Sequence, residues 1–166
     1  MLPHHTNLEK LLKQKSKATL IQTIINIYER CNEKAIWDMF GDLIYEHHYM
    51  RLTPLQLRRD IETFYQKSVS GEYYAPFAMD SKNFMHIPDK TECWFNEIAL
   101  LLDLCCELVL KNEPTPLHFY FHNLFDLIKK MEAGEEIIFA HECDTDMICC
   151  KHDYKKIYRE YMNKQQ

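Results

Sequence analysis

The chain has 166 residues, a length that suits one domain with a sizeable core. Its 46% hydrophobic and 27% charged residues make a globular balance, which excludes an intrinsically disordered chain. Only three glycines are present, too few for a glycine-rich phosphate loop or the turns of an all-β fold, and a net charge of −5 with dispersed lysines offers nucleic acid no basic face.

Helix signals begin at once. Thr6 caps a short first helix through about Lys15, and Ser16 caps a second that carries Leu20, Ile21, Ile24, Ile25 and Tyr28. Asn32 breaks the chain and caps a third helix with Ile36, Met39, Phe40, Leu43 and Ile44. Thr53-Pro54 is a capping hydroxyl followed by proline at the first helical position, and the helix it starts runs to Gly71 with Leu57, Ile61, Phe64 and Tyr65 at helical spacing.

Residues 72–90 show no clean period and contain Pro76 and Pro88, so they read as a long loop. Thr91 is the expected cap of a helix reaching about Lys111. That helix is apolar on most sides, with a narrow polar stripe of Glu92, Asn96, Asp103 and Glu107, and is expected to be the central one. Thr115-Pro116 starts another helix, which ends at Gly134. Ile137–Phe139 and Met147–Cys149 flank a turn-like Cys143-Asp144-Thr145-Asp146, predicting a β-hairpin near 137–150. A last helix begins near Asp153. The expected fold is mainly α: one helical domain over 1–166, a bundle or orthogonal array of six to seven helices with that short hairpin before the last.

The seven cysteines are odd in number and include two adjacent pairs, a poor disulfide framework. With no N-terminal apolar signal stretch and no long apolar run, the chain is expected to be cytoplasmic, with reduced thiols and no membrane partner.

Two groups of residues carry functional expectations. Tyr73, Tyr74, Phe77, Met79, Phe84 and Met85 concentrate aromatic and methionine side chains in a segment without period. Either the loop folds back to complete the core, or it forms a partner-binding surface, since such residues are enriched at interface cores. The second group is a His/Cys cluster. In the hairpin register that sets His141 opposite Cys150, Cys143 shares their face, and a one-residue slip substitutes Cys149. Thiolates and imidazoles are zinc ligands, and a fourth would have to come from His118 or His122, one turn apart on their helix. No C-x₂-C knuckle accompanies the cluster, so packed thiols are the competing reading.

Catalytic motifs are missing. G-x-S-x-G does not occur, and Phe119 stands where HExxH would need glutamate. Cys149 and Cys150, near Lys151 and His152, are the only cysteines with local activating groups. The pattern points to a non-enzymatic protein-interaction module, acidic enough to suit a basic partner protein. The alternative is a zinc-binding protein built on His141, Cys143, Cys149 and Cys150, completed by His118 or His122; the first reading requires no cofactor.

Overall fold

The computed structural model describes residues 5–78, 80, 82–83, 86–112, 117–139 and 147–165. Among them are seven helices: α1 (His5–Lys13), α2 (Lys17–Tyr28), α3 (Glu33–Met50), α4 (Pro54–Val69), α5 (Asp89–Leu110), α6 (Leu117–Glu132) and α7 (Tyr154–Gln165). The helical class is as expected, and no described residue lies in a strand.

The caps follow from side-chain chemistry. Ser16, Asn32 and Thr53 each accept the backbone N–H three residues on, which satisfies one of the donors a helix start leaves free. Pro54 occupies the first helical position of α4. Asp153 caps α7 as Ser16, Asn32 and Thr53 cap their helices, its carboxylate taking the Lys156 N–H at 3.0 Å. Gly71 and Gly134, both at φ 77°, close α4 and α6 in the left-handed region where a Cβ is costly. The expected Thr91 cap is a correction. The helix starts two residues earlier, at Asp89 after Pro88, and the Thr91 hydroxyl donates instead to the Phe139 carbonyl at 2.9 Å.

Helix α5 is the axis of the molecule, with α3, α4, α6 and α7 packed around it. Fourteen of its residues are buried, so its apolar surface is satisfied from several sides, as its narrow polar stripe requires. Trp94 is the largest of its fully buried side chains, against Phe64 of α4 and beside Phe95. Its indole N–H reaches Ser68 Oγ at 2.9 Å, and that hydroxyl donates to the Phe64 carbonyl, so the polar atoms placed in the core are paired. Phe125 of α6 meets Tyr154 and Tyr158 of α7, which ties the last helix to the body.

The β-hairpin expected near 137–150 is not formed by its described residues. Residues 137–139 and 147–150 are irregular, and the residues 140–146 between them lie outside the described set. Tertiary partners take backbone groups at and beside the ends of this segment. The Phe139 carbonyl accepts from Thr91, and the N–H groups of Lys151 and His152 donate to Asp103. Ile137, Ile138 and Ile148 are buried, so the alternation read as strand period is a segment plugging the end of a helical core.

Nothing before Leu57 is buried among the described residues. Helices α1 and α2 pack little on the rest; the Tyr28 ring, edge-on to Phe40 at 5.5 Å, is one contact that reaches α3. No described helix is long and apolar enough to cross a membrane.

Candidate functional site

The six loop residues expected at a partner surface divide. Tyr73 is only 2% exposed; its ring packs edge-on to Phe64 and its hydroxyl donates to Glu97 at 2.5 Å. Tyr74 and Phe77 are half-buried and both lean on Phe139, at 6.0 and 5.2 Å between ring centroids. Met79, Phe84 and Met85 lie outside the described residues. Tyr73 thus belongs to the core, while Tyr74 and Phe77 keep part of their rings toward solvent.

Of the expected metal ligands, His141 and Cys143 lie outside the described residues. Cys149 is exposed, whereas the Cys150 thiol turns to the Ala99 carbonyl of α5 at 3.8 Å, so the adjacent pair diverges. His118 and His122 are exposed on α6. His152 is engaged elsewhere, its Nε2 2.9 Å from Glu107. Among the described residues, no three His, Cys, Asp or Glu side chains gather as a metal-holding group.

Burial raises the pKa of the core thiols, because a thiolate loses its hydration there. Cys93 and Cys106 are pushed up to about 12, Cys105 goes well above its ordinary value, and Cys150 rises by burial with help from Asp103. These four thiols are the opposite of the low-pKa nucleophile that cysteine catalysis needs.

Two concavities stand out. The first, of about 290 Å³, lies between α3 and α4 and is lined by His47, His48, Arg51 and Asp60. The Asp60 carboxylate is 3.8 Å from His48 Nδ1 and accepts from Gln56 at 2.7 Å. Thr53, its one lining hydroxyl, is occupied as the cap of α4.

The second is a groove of about 390 Å³ between α3, α5 and residues 147–151. Trp37, Phe95 and Leu100 contribute apolar lining, and Met39 and Leu43 line it while 52% and 60% exposed. Asp38 and Asp42, one turn apart on α3, are its exposed acids. At one end Lys151 lies over the Tyr45 ring, 3.4 Å from its centroid. Burial, with Asp103 and Glu107 nearby, pushes the Tyr45 hydroxyl up to about 12. Gly41 faces the groove from the middle of α3, and a Cβ there would meet only Trp37, at an ordinary 3.8 Å. Helix packing therefore does not require glycine at this position, and the space it leaves belongs to the groove.

Asp103 sets the end wall. It is 3% exposed and fixes residues 151–152 through two backbone hydrogen bonds of 2.9 Å. Burial raises its pKa, and the two amides and the Lys151 and His152 side chains oppose that rise. In the sequence Asp103 belongs to the narrow polar stripe of its helix, and Met39 and Leu43 to the apolar residues of the third helix. Spacing alone gives no signal of this, since Ile36, Met39, Phe40, Leu43 and Ile44 recur as one helical stripe.

Comparison with known proteins adds no relative: no family model, no curated protein and no solved structure matches the chain.

Proposed function

We propose that this protein is a non-enzymatic protein-interaction module whose groove between α3, α5 and residues 147–151 receives an apolar, basic segment of a partner protein. The observation that carries this reading is the pairing of exposed Met39 and Leu43 with Trp37 and Phe95 beneath acidic Asp38 and Asp42. Methionine and aromatic side chains adapt to and anchor a partner, and the acids select its charge. The net charge of −5 favours the same kind of partner through long-range attraction.

Selection of binders from a random peptide display library tests this. The expected result is enrichment of peptides combining Lys or Arg with large apolar residues, with binding lost in Leu43→Glu and weakened in Asp38→Asn/Asp42→Asn. Enrichment of acidic peptides, or binding indifferent to these substitutions, would defeat the reading.

A further inference from the structure

We infer that α1 and α2 form a basic, apolar arm that lies on an anionic lipid surface. The fold leaves sixteen large apolar side chains exposed among the described residues, and eight of them fall within residues 8–28. On α1 these are Leu8, Leu11 and Leu12, which recur at i, i+3 and i+4 and so make one stripe. On α2, Ile21, Ile24, Ile25, Ile27 and Tyr28 are each between 42% and 50% exposed. They spread over nearly half of the helix circumference, at about 100° per residue. Exposed apolar groups gathered this closely mark a surface that something covers.

Charge identifies the occupant. Residues 5–28 hold four lysines, Lys10, Lys13, Lys15 and Lys17, against one acid, Glu9. The other residues of the chain carry sixteen Lys or Arg and twenty-four Asp or Glu, so the arm is basic and the body acidic. Glu9 pairs with Lys13 at 2.6 Å, and no carboxylate meets Lys10, Lys15 or Lys17 among the described residues. Lysines clustered on an amphipathic helix and the turn after it are the pattern that recognises acidic phospholipid headgroups. An anionic surface attracts the arm and repels the body, so the chain docks by α1 and α2.

The placement of the lysines favours a lipid layer over a groove of a partner protein. Lys10 and Lys13 lie on the face of α1 opposite its leucines, at about 100° per residue. A groove that grips the leucines leaves both lysines in water. A helix sunk about 5–10 Å into the headgroup boundary keeps them among the phosphates. Helices α1 and α2 have nine and twelve residues, against the roughly twenty that cross a bilayer, so the arm lies in the plane of the interface. Such an arm needs no spanning segment, and it revises the expectation of no membrane partner. The groove is a separate surface, built by α3, α5 and residues 147–151, so the failure of either proposal leaves the other standing.

Co-sedimentation of the full chain with lipid vesicles is the test. The chain should bind vesicles of equal parts phosphatidylglycerol and phosphatidylcholine, bind pure phosphatidylcholine far more weakly, and come off the first as salt is raised. Lys10→Gln/Lys15→Gln should weaken binding by about thirtyfold, at about fivefold per lysine near an anionic surface. Ile24→Asp/Ile25→Asp should weaken it by about a hundredfold or more, since two apolar side chains no longer enter the acyl boundary. Hydrogen exchange on the unmutated chain checks the result without relying on a variant: amides of α1 and α2 should gain protection when the mixed vesicles are added. Equal binding to both kinds of vesicle, or binding untouched by either double substitution, would overturn the inference. So would α1 and α2 protection that rises with protein concentration in the absence of lipid, which would assign the surface to a second copy. An arm that ignores the mixed vesicles but captures acidic, apolar peptides from a display library would belong to a protein partner instead.

Discussion

The Asp103 carboxylate accepts the backbone N–H of His152 at 2.9 Å from the middle of α5, forty-nine residues away in sequence. Its other oxygen takes the Lys151 N–H at the same distance, so one buried side chain fixes two consecutive amides and aims α7. The His152 ring returns to Glu107, one turn further along α5, which closes the clasp. Asp103→Ala leaves both amides without an acceptor and is expected to cost about 2–4 kcal/mol, on the scale of two unsatisfied donors. Asp103→Asn keeps one acceptor oxygen and should cost less. Urea unfolding gives the magnitudes; hydrogen exchange should localise the loss to residues 151–152 and the start of α7.

The pair of Ser68 and Trp94 makes a second clasp, inside the core. Ser68→Ala removes the oxygen that receives the indole N–H and leaves that donor buried, at a cost of about 1–3 kcal/mol. The substitution removes a single oxygen from a residue with no solvent exposure, so the fold should survive. Trp94→Ala, which removes the largest fully buried side chain, should cost about 3–5 kcal/mol. A Ser68→Ala variant that unfolds at the wild-type temperature would mean that the hydrogen bond carries no separate weight.

Helix order, most helix starts and the central place of α5 were legible in the sequence, because capping and a 3.6-residue period are local properties. Ser16, Asn32 and Thr53 announce their helices by residue type alone. The groove was not legible. Met39 and Leu43 sit at the same helical spacing as core residues, and only the packing of α3 on α5 decides that they stay exposed. The hairpin misled for a related reason: Ile137, Ile138 and Ile148 are apolar because they plug the core, while Asp103, a residue of another element, fixes the amides of Lys151 and His152 that follow. Tyr73 was legible as apolar but not as core or surface, since its burial depends on a hydrogen bond to Glu97.

That Tyr73–Glu97 pair gives stability a definite pH dependence. Burial raises Glu97, with the Tyr73 hydroxyl and Lys67 opposing the rise, and burial likewise raises Asp103. A carboxyl raised in the native state holds its proton while the unfolded chain has released it. Stability therefore falls as pH rises from the ordinary carboxyl range through the raised values. Glu97→Gln should remove its share of this slope in urea titrations between pH 4 and pH 7, an interval set by the ordinary glutamate value of about 4.3. Tyr73 is raised by burial and by Glu97, and Tyr45 to about 12, so both stabilise the fold below the ordinary tyrosine value of about 10 and lose that contribution above it. Tyr73→Phe should shift the onset of alkaline unfolding upward, while giving up the hydrogen bond at neutral pH.

Thiol accessibility should follow burial. Cys149 is exposed, whereas Cys93, Cys105 and Cys106 are buried with raised thiols. In the native protein a thiol-specific reagent should modify Cys149 early and leave those three until unfolding. Mass mapping after brief labelling checks the order. Early labelling of Cys105 would mean that the packing of α5 opens on the timescale of the reaction.

Gly41 separates the demands of the fold from those of the groove. A glycine inside a helix costs about 0.5–1 kcal/mol relative to alanine, and the only neighbour within reach of a Cβ at Gly41 is Trp37, at an undemanding 3.8 Å. Gly41→Ala should therefore stabilise the protein by about that amount in urea unfolding. Larger side chains at the same position would extend into the groove beside Trp37 and Phe95. Gly41→Leu is expected to leave the helical circular dichroism intact and to abolish capture of the basic, apolar peptides that the groove selects. If Gly41→Leu binds those peptides as the unmutated chain does, the partner segment lies elsewhere; if Gly41→Ala destabilises, the glycine serves the packing of α3 and the groove is only its by-product.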